Sequence, residues 1–205
     1  MMKSICALTR RMGMSRQEFQ HYYEQQHVPL AIQYLPFNRY VRNHLLDHEG
    51  IGFDTISEFW AEDLNHVATI SNGPARKLLR TDELQFMDPS QQAAGACEVQ
   101  YLSTGPLLNQ RWAILLNWSG DRSTVEDWVN SLIQANTLVP SDAEMTLDWI
   151  MQPSSFPARA LLWTSDPFVT DNLPQSVSAT ALRVQREETD PSALIASLLL
   201  TRLDV

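Results

Sequence analysis

The chain has 205 residues, 44% of them hydrophobic and 19% charged, and its 24 acidic against 15 basic side chains leave a formal charge of −9. That length suits one large or two small units with a self-sufficient core, and the acidity argues against a nucleic-acid partner, whose phosphates need clustered positive charge. No apolar run approaches the ~20 residues of a membrane helix, the opening MMKSICALTRRMG is too short and too broken by charge for a signal peptide, and two cysteines make neither a disulfide scaffold nor a zinc spacing. A cytoplasmic location is the expectation, with no membrane contact.

Taken in chain order, KSICALTR at 3–10 predicts a strand. After a polar turn, Ser15 with Glu18 three residues on forms a capping box that opens a helix. In that helix Phe19, Tyr23, His27 and Ala31 recur every four residues and share one face. Pro29 cannot donate a backbone hydrogen bond and crowds the carbonyl of Gln25, so a kink is expected beside His27. NRYVRNHLLD at 38–47 alternates, with Tyr40, Arg42 and His44 on one face and Val41, Asn43 and Leu45 on the other. FDTISEFW at 53–60 is another strand, DLNHVATI begins a second helix running toward Leu79, and CEVQYLS at 97–103 is a closing strand. The order is β-α-β-β-α-β, the ferredoxin-like unit.

The run STGPLLNQ carries a Gly-Pro turn signal, and residues 104–110 read as a connection. Beyond it the order recurs at an offset of 108, which pairs Ser123 with Ser15. RWAILLNW at 111–118 is a strand, and Ser123 with Glu126 repeats the capping box before TVEDWVNSLIQAN. EMTLDWIMQ at 144–152 places Met145, Leu147, Trp149 and Met151 on one face; ARALLWTS at 158–165 and VSATALRVQ at 177–185 complete the strands. Pro167 and Pro174 leave little room for a second crossover helix, and a last helix is expected from about Ser192 to Arg202. The boundaries are therefore 1–104 and 108–188 for two ferredoxin-like units, with 189–205 as a C-terminal helix.

The first half resembles a known family. RRMGMSRQEFQHYYEQQHVPL, with Phe19, Tyr23, His27 and Pro29 in register, then RYVRNHL, DTISEFW and SNGPARKLLRTDELQFMD with Asp82, Glu83 and Phe86, are similar to the EthD domain family over roughly residues 3–103. The resemblance implies an α+β fold of dimeric α/β-barrel type, here from tandem ferredoxin-like units, with the barrel closing within one chain or between chains. It also implies small-molecule chemistry without a cofactor, of the decarboxylase or related kind, with the helix histidine as acid/base. The second half matches in element order only and has Ala135 at the offset of His27.

His27 is thus the candidate catalytic residue, since a positioned histidine that takes and gives a proton is worth ~10²–10⁴-fold. Tyr23, Arg42, His44 and Trp60 are the candidate substrate-binding residues, Arg42 offering a bidentate fork to an anionic oxygen. His21 and His48 are expected to be exposed and His66 structural. His44 and His48 stand four apart but across a strand end, so no metal site is expected. No GxGxxG, phosphate loop or G-x-S-x-G elbow occurs, so no cofactor is expected. The function expected is a cofactor-independent lyase, decarboxylase or isomerase acting on a small apolar or aromatic carbonyl-type molecule, in a possible homodimer. The alternatives are a cofactor-free or haem-dependent oxygenase of the same barrel superfamily, or a non-catalytic carrier.

Overall fold

The computed structural model describes residues 2–46, 50–63, 67, 69, 73, 75–134, 143–165 and 173–194. Its strands are β1 (Met2–Leu8), β2 (Arg39–Leu45), β3 (Thr55–Ala61), β4 (Ala93–Ser103), β5 (Gln110–Trp118), β6 (Met145–Ile150), β7 (Ala160–Thr164) and β8 (Val177–Glu188). The helices are α1 (Arg16–Tyr22), a π-helical turn (Tyr23–His27), α2 (Val28–Tyr34), α3 (Ala75–Phe86) and α4 (Ser123–Gln134). The strands close into one antiparallel barrel in the order β1-β3-β2-β8-β5-β7-β6-β4. Read as two sheets, this is 4-1-3-2 followed by the same order among β5–β8. The seams β2–β8 and β4–β6 join the halves, so closure occurs within a single chain.

Strand alternation gives each residue either the lumen or the helix layer. The lumen takes Ile5, Leu45, Ile56, Leu115, Leu161, Trp163, Leu182 and Val184. The outer face of the first four strands packs Cys6, Leu8 and Tyr40 under Phe19, Tyr23 and Phe86. The corresponding face of the second half packs Ile114, Leu147 and Leu162 against Val125, Trp128 and Leu132 of α4. Both cysteines are free and buried. Among the described residues, no helix is long and apolar enough to cross a membrane.

Several expectations shift. The Ser15–Glu18 capping box forms as read. The one at Ser123 does not: Ser123 lies inside α4, its N–H donates to Asp121 Oδ1 at 3.0 Å, and Glu126 pairs with Arg122 at 2.7 Å. Asp121 caps the first free amide, and the Val125 and Glu126 amides that Ser123 would have capped go to the Arg122 carbonyl at 3.0 and 3.2 Å. Met151 falls just past β6 and is exposed rather than on the Met145–Trp149 face. The helix expected from DLNHVATI lies mostly outside the described residues, with Val67 and Thr69 helical, and α3 runs past Leu79 to Phe86. His48, His66 and Ala135 lie outside the described residues, as do most of the expected last helix and of the 166–176 segment.

At Gly95 on β4 the backbone approach is tight. A Cβ there would stand 2.5 Å from Ser154 Oγ and 2.8 Å from Ile150 Cγ2. Ser154 Oγ also donates to the Ala94 carbonyl at 2.9 Å, so it has little freedom to withdraw. Gly95→Ala is expected to lower the unfolding free energy by about 1–3 kcal/mol, read as a lower urea midpoint.

Candidate active site

The kink foreseen at Pro29 is a π-helical turn. Val28 N–H reaches back five residues to the Tyr23 carbonyl, and Pro29 then sits in the first turn of α2, where a missing N–H costs nothing. Such turns widen the helix locally and bring more side chains to one side. Here they turn Tyr23, Glu24 and His27 toward the sheet.

His27 Nδ1 lies 2.7 Å from Asp82 Oδ2, and Tyr22 donates its hydroxyl to Asp82 Oδ1 at 2.9 Å. Asp82 and Phe86, one turn apart on α3, both serve the imidazole, the Phe86 ring lying 4.9 Å from it. Burial pushes the Asp82 carboxyl up, but the hydrogen bonds from His27 and Tyr22 outweigh it and leave it below the usual carboxylate range. An ionised carboxylate only accepts, so Nδ1 carries a hydrogen, and in the neutral imidazole Nε2 then holds the lone pair. Nε2 has no partner among the described residues.

His27 and the Tyr23 ring form part of the wall of a cleft of about 510 Å³ between the first sheet and its helices. Leu8, Phe37, Phe59 and Leu79 make the cleft largely apolar, and Arg76 and Glu83 also line it. Cys6 lies in it as well, but burial pushes its thiol up to about 12, so it stays protonated and accepts a hydrogen bond from Gln92. Pro153, from beyond β6, supplies wall from the second half.

The other sequence candidates go elsewhere. Arg42 and His44 do share a face with Tyr40, but both are buried against Glu24 of the π-helical turn. Arg42 forks onto the two Glu24 oxygens at 3.1 and 2.5 Å, and His44 Nε2 lies 2.7 Å from Oε1. Burial raises the Glu24 carboxyl, yet the bonds from His44 and Arg42 prevail and hold it at about 2. Arg42 Nη1 donates to the Tyr40 carbonyl and to Thr189 Oγ1, so this cluster braces the turn, and neither Arg42 nor His44 lines the cleft. Trp60 lies on the opposite face of β3, in the lumen, with Lys3 and Arg39 over its ring, and is not brought together with His27. His21 is exposed, as expected.

Asp82 is the partner of His27 that sequence reading left without a role, although the Asp82-Glu83 pair belonged to the pattern; its link to His27 spans 55 residues. Residues 11–90 match the family profile described as EthD domain. This stretch is similar to EthD domains. Phe19, Tyr23, His27, Asp82 and Phe86 all fall inside the EthD match, whereas β4 and the whole second half lie beyond it. No curated protein matches the chain significantly by sequence. Solved structures share its fold. One is a protein from Lactobacillus acidophilus NCFM described provisionally as a monooxygenase, at TM-score 0.54 and 9% identity over 93% of this chain and 96% of that one. Another is described provisionally as a chlorite dismutase, at 0.54 and 10% over 97% and 98%. A third is an anthrone oxidase-like protein, at 0.56 and 8% over 91% and 92%. At these identities the likeness establishes the fold, an α+β barrel of the dimeric α/β-barrel type.

Proposed function

We propose that this chain is a cofactor-independent enzyme that withdraws a proton from a small, largely apolar carbonyl or aromatic compound. The supporting observation is the His27–Asp82 dyad, with its unpartnered Nε2 in an apolar-walled cleft. Asp82 fixes the tautomer and ring orientation, and His27 Nε2 takes the substrate proton. Apolar walls strengthen each polar contact made inside them. Returning the proton at another carbon gives an isomerase, and loss of carboxylate before reprotonation gives a decarboxylase. We also read residues 1–104 as the site-bearing unit, 108–188 as its packing partner and 189–205 as a C-terminal segment.

A second reading draws on the fold relatives described as a monooxygenase and as anthrone oxidase-like: the carbanion formed at His27 then reacts with dioxygen. Incubation with 2-tetralone and with anthrone in D₂O, in air and without oxygen, separates the two. Catalysed hydrogen–deuterium exchange under both atmospheres, followed by NMR, is the expected result. Product formation that requires oxygen moves the assignment to the oxygenase, and a haem absorbance band in the purified protein moves it to a haem enzyme. Binding of the probes without exchange or oxidation points to a carrier.

A further inference from the structure

Three buried hydroxyls beside the cleft carry more hydrogens than their mutual bonds consume. Tyr23 Oη lies 2.7 Å from Tyr40 Oη and 2.7 Å from Ser57 Oγ, and all three side chains are buried. Three hydroxyls hold three hydrogens, and two mutual hydrogen bonds spend two, whichever way the chain is oriented. The third hydrogen finds no acceptor among the described residues. A buried donor without an acceptor is costly, so such a hydrogen is poised to meet a ligand acceptor.

The chain has a preferred direction. If Tyr40 donated to Tyr23 and Tyr23 to Ser57, the spare hydrogen would sit on Ser57, which is fully buried and does not line the cleft. In the opposite direction Ser57 donates to Tyr23 and Tyr23 to Tyr40, and the hydrogen emerges on a ring that does line it. The third arrangement, with Tyr40 and Ser57 both donating to Tyr23, turns the Tyr23 hydrogen away from both neighbouring oxygens. Tyr40 is also the chain end, with no second hydroxyl to serve. Burial raises both phenols well above their usual range, so neither gives up its hydrogen near neutral pH. The ring of Tyr23 lies 5.3 Å from the His27 imidazole, which puts this chain beside the base.

We propose that the Tyr40 hydroxyl is a second catalytic group, a hydrogen-bond donor that receives the substrate oxygen as His27 withdraws the neighbouring proton. Tyr23 and Ser57 are positioning residues that direct its hydrogen into the cleft. The assignment rests on the reading of His27 as base. In the step, a substrate C–H or O–H bond gives its hydrogen to His27 Nε2 and its electron pair settles on the substrate oxygen. Tyr40 keeps its hydrogen and donates to that oxygen, so nothing is oxidised and no co-reactant is needed. Donors preorganised toward developing charge in a dry site are a large source of rate. The ligand atom at Tyr40 is therefore an acceptor: a carbonyl, enolate or phenolate oxygen.

The test uses 2-naphthol as the probe, because its neutral and ionised forms absorb differently. The full chain is expected to bind it and to hold part of it as the anion at a pH where the free probe is neutral. Tyr40→Phe, checked for native circular dichroism, is expected to weaken binding by ~10–100-fold, as for a hydrogen bond to a charged acceptor, and to return the bound probe to its neutral spectrum. Ser57→Ala keeps the anion spectrum with a smaller loss of affinity. His27→Ala binds the probe in the neutral form only. A folded Tyr40→Phe protein that binds and ionises the probe like the parent overturns the donor and leaves His27 as base. Neutral binding by the parent that still depends on Tyr40 overturns the base and leaves the donor. Failure of the parent to bind the probe overturns the donor assignment.

Discussion

Hydrogen–deuterium exchange on an activated ketone is expected to fall by ~10²–10⁴-fold when His27 is replaced by alanine, the range for a positioned general base. Asp82→Asn is expected to reproduce most of that loss while leaving the cleft intact, because an amide no longer requires the hydrogen on Nδ1 and the productive tautomer is lost. The His27 and Asp82 side chains are largely buried, with exposures of 12% and 13%, so each variant is checked for native circular dichroism before its exchange rate is read. Exchange reduced less than threefold in a folded His27→Ala protein would remove His27 from the chemistry.

The other large effect is on stability, and it lies in the barrel lumen. Lys3 extends its ammonium to Glu58 at 2.6 Å and to Asp148, all three essentially dry. Arg111 closes on Glu58 and on Asn43, and the Trp163 indole donates to Asp148 at 2.8 Å. Removing Lys3 leaves Arg111 on Glu58 but takes from Asp148 its only cation among the described residues, away from water, with the Trp163 indole as its remaining donor. Lys3→Met is therefore expected to cost about 3–5 kcal/mol, as for a broken buried pair. Lys3→Met combined with Asp148→Leu should recover much of it, since the apolar replacement carries no unpaired charge. Denaturant midpoints decide this, and a midpoint for Lys3→Met equal to the parent's would refute it. Within the same cluster Glu58 predicts acid sensitivity, whereas burial pushes the Asp148 carboxyl up and gives it the opposite sign. Burial opposes ionisation of Glu58, but Arg111 and Lys3 overcome it and hold the carboxyl at about 2. A carboxyl depressed in the folded state stabilises above its unfolded value of ~4.3, and that contribution is lost as the pH falls from there toward about 2. Glu24 adds to the same window with the same sign.

These two sites differ in how far the sequence exposed them. Alternation in β2 assigned Tyr40, Arg42 and His44 to one face correctly, because period-two patterning is local. It did not say that this face meets Glu24, since an ion pair between a strand and a helical turn leaves no periodic trace. Trp60 was misplaced for a related reason: its face depends on pairing with Lys3, a register that only the folded sheet defines. The lumen charges were invisible because a sheet closed on itself buries both faces. Lys3, Glu58 and Asp148 each look like ordinary polar positions on a half-wet strand. Asp82 was legible as part of a pattern and not as a partner, being 55 residues from the histidine it orients.

The seams β2–β8 and β4–β6 carry one more consequence. Each joins strands from opposite halves of one polypeptide, so the two halves meet at an effective concentration set by the connecting segment and not by the amount of protein in solution. Where an eight-stranded barrel is built from separate chains, dilution pulls the halves apart by mass action. Here the cleft wall at Pro153 and the Lys3–Asp148 contact are intramolecular and persist at any dilution. The halves are also free of the symmetry that identical chains impose. A substitution that fills the second half with tryptophan is felt once, and the first half can keep its cavity.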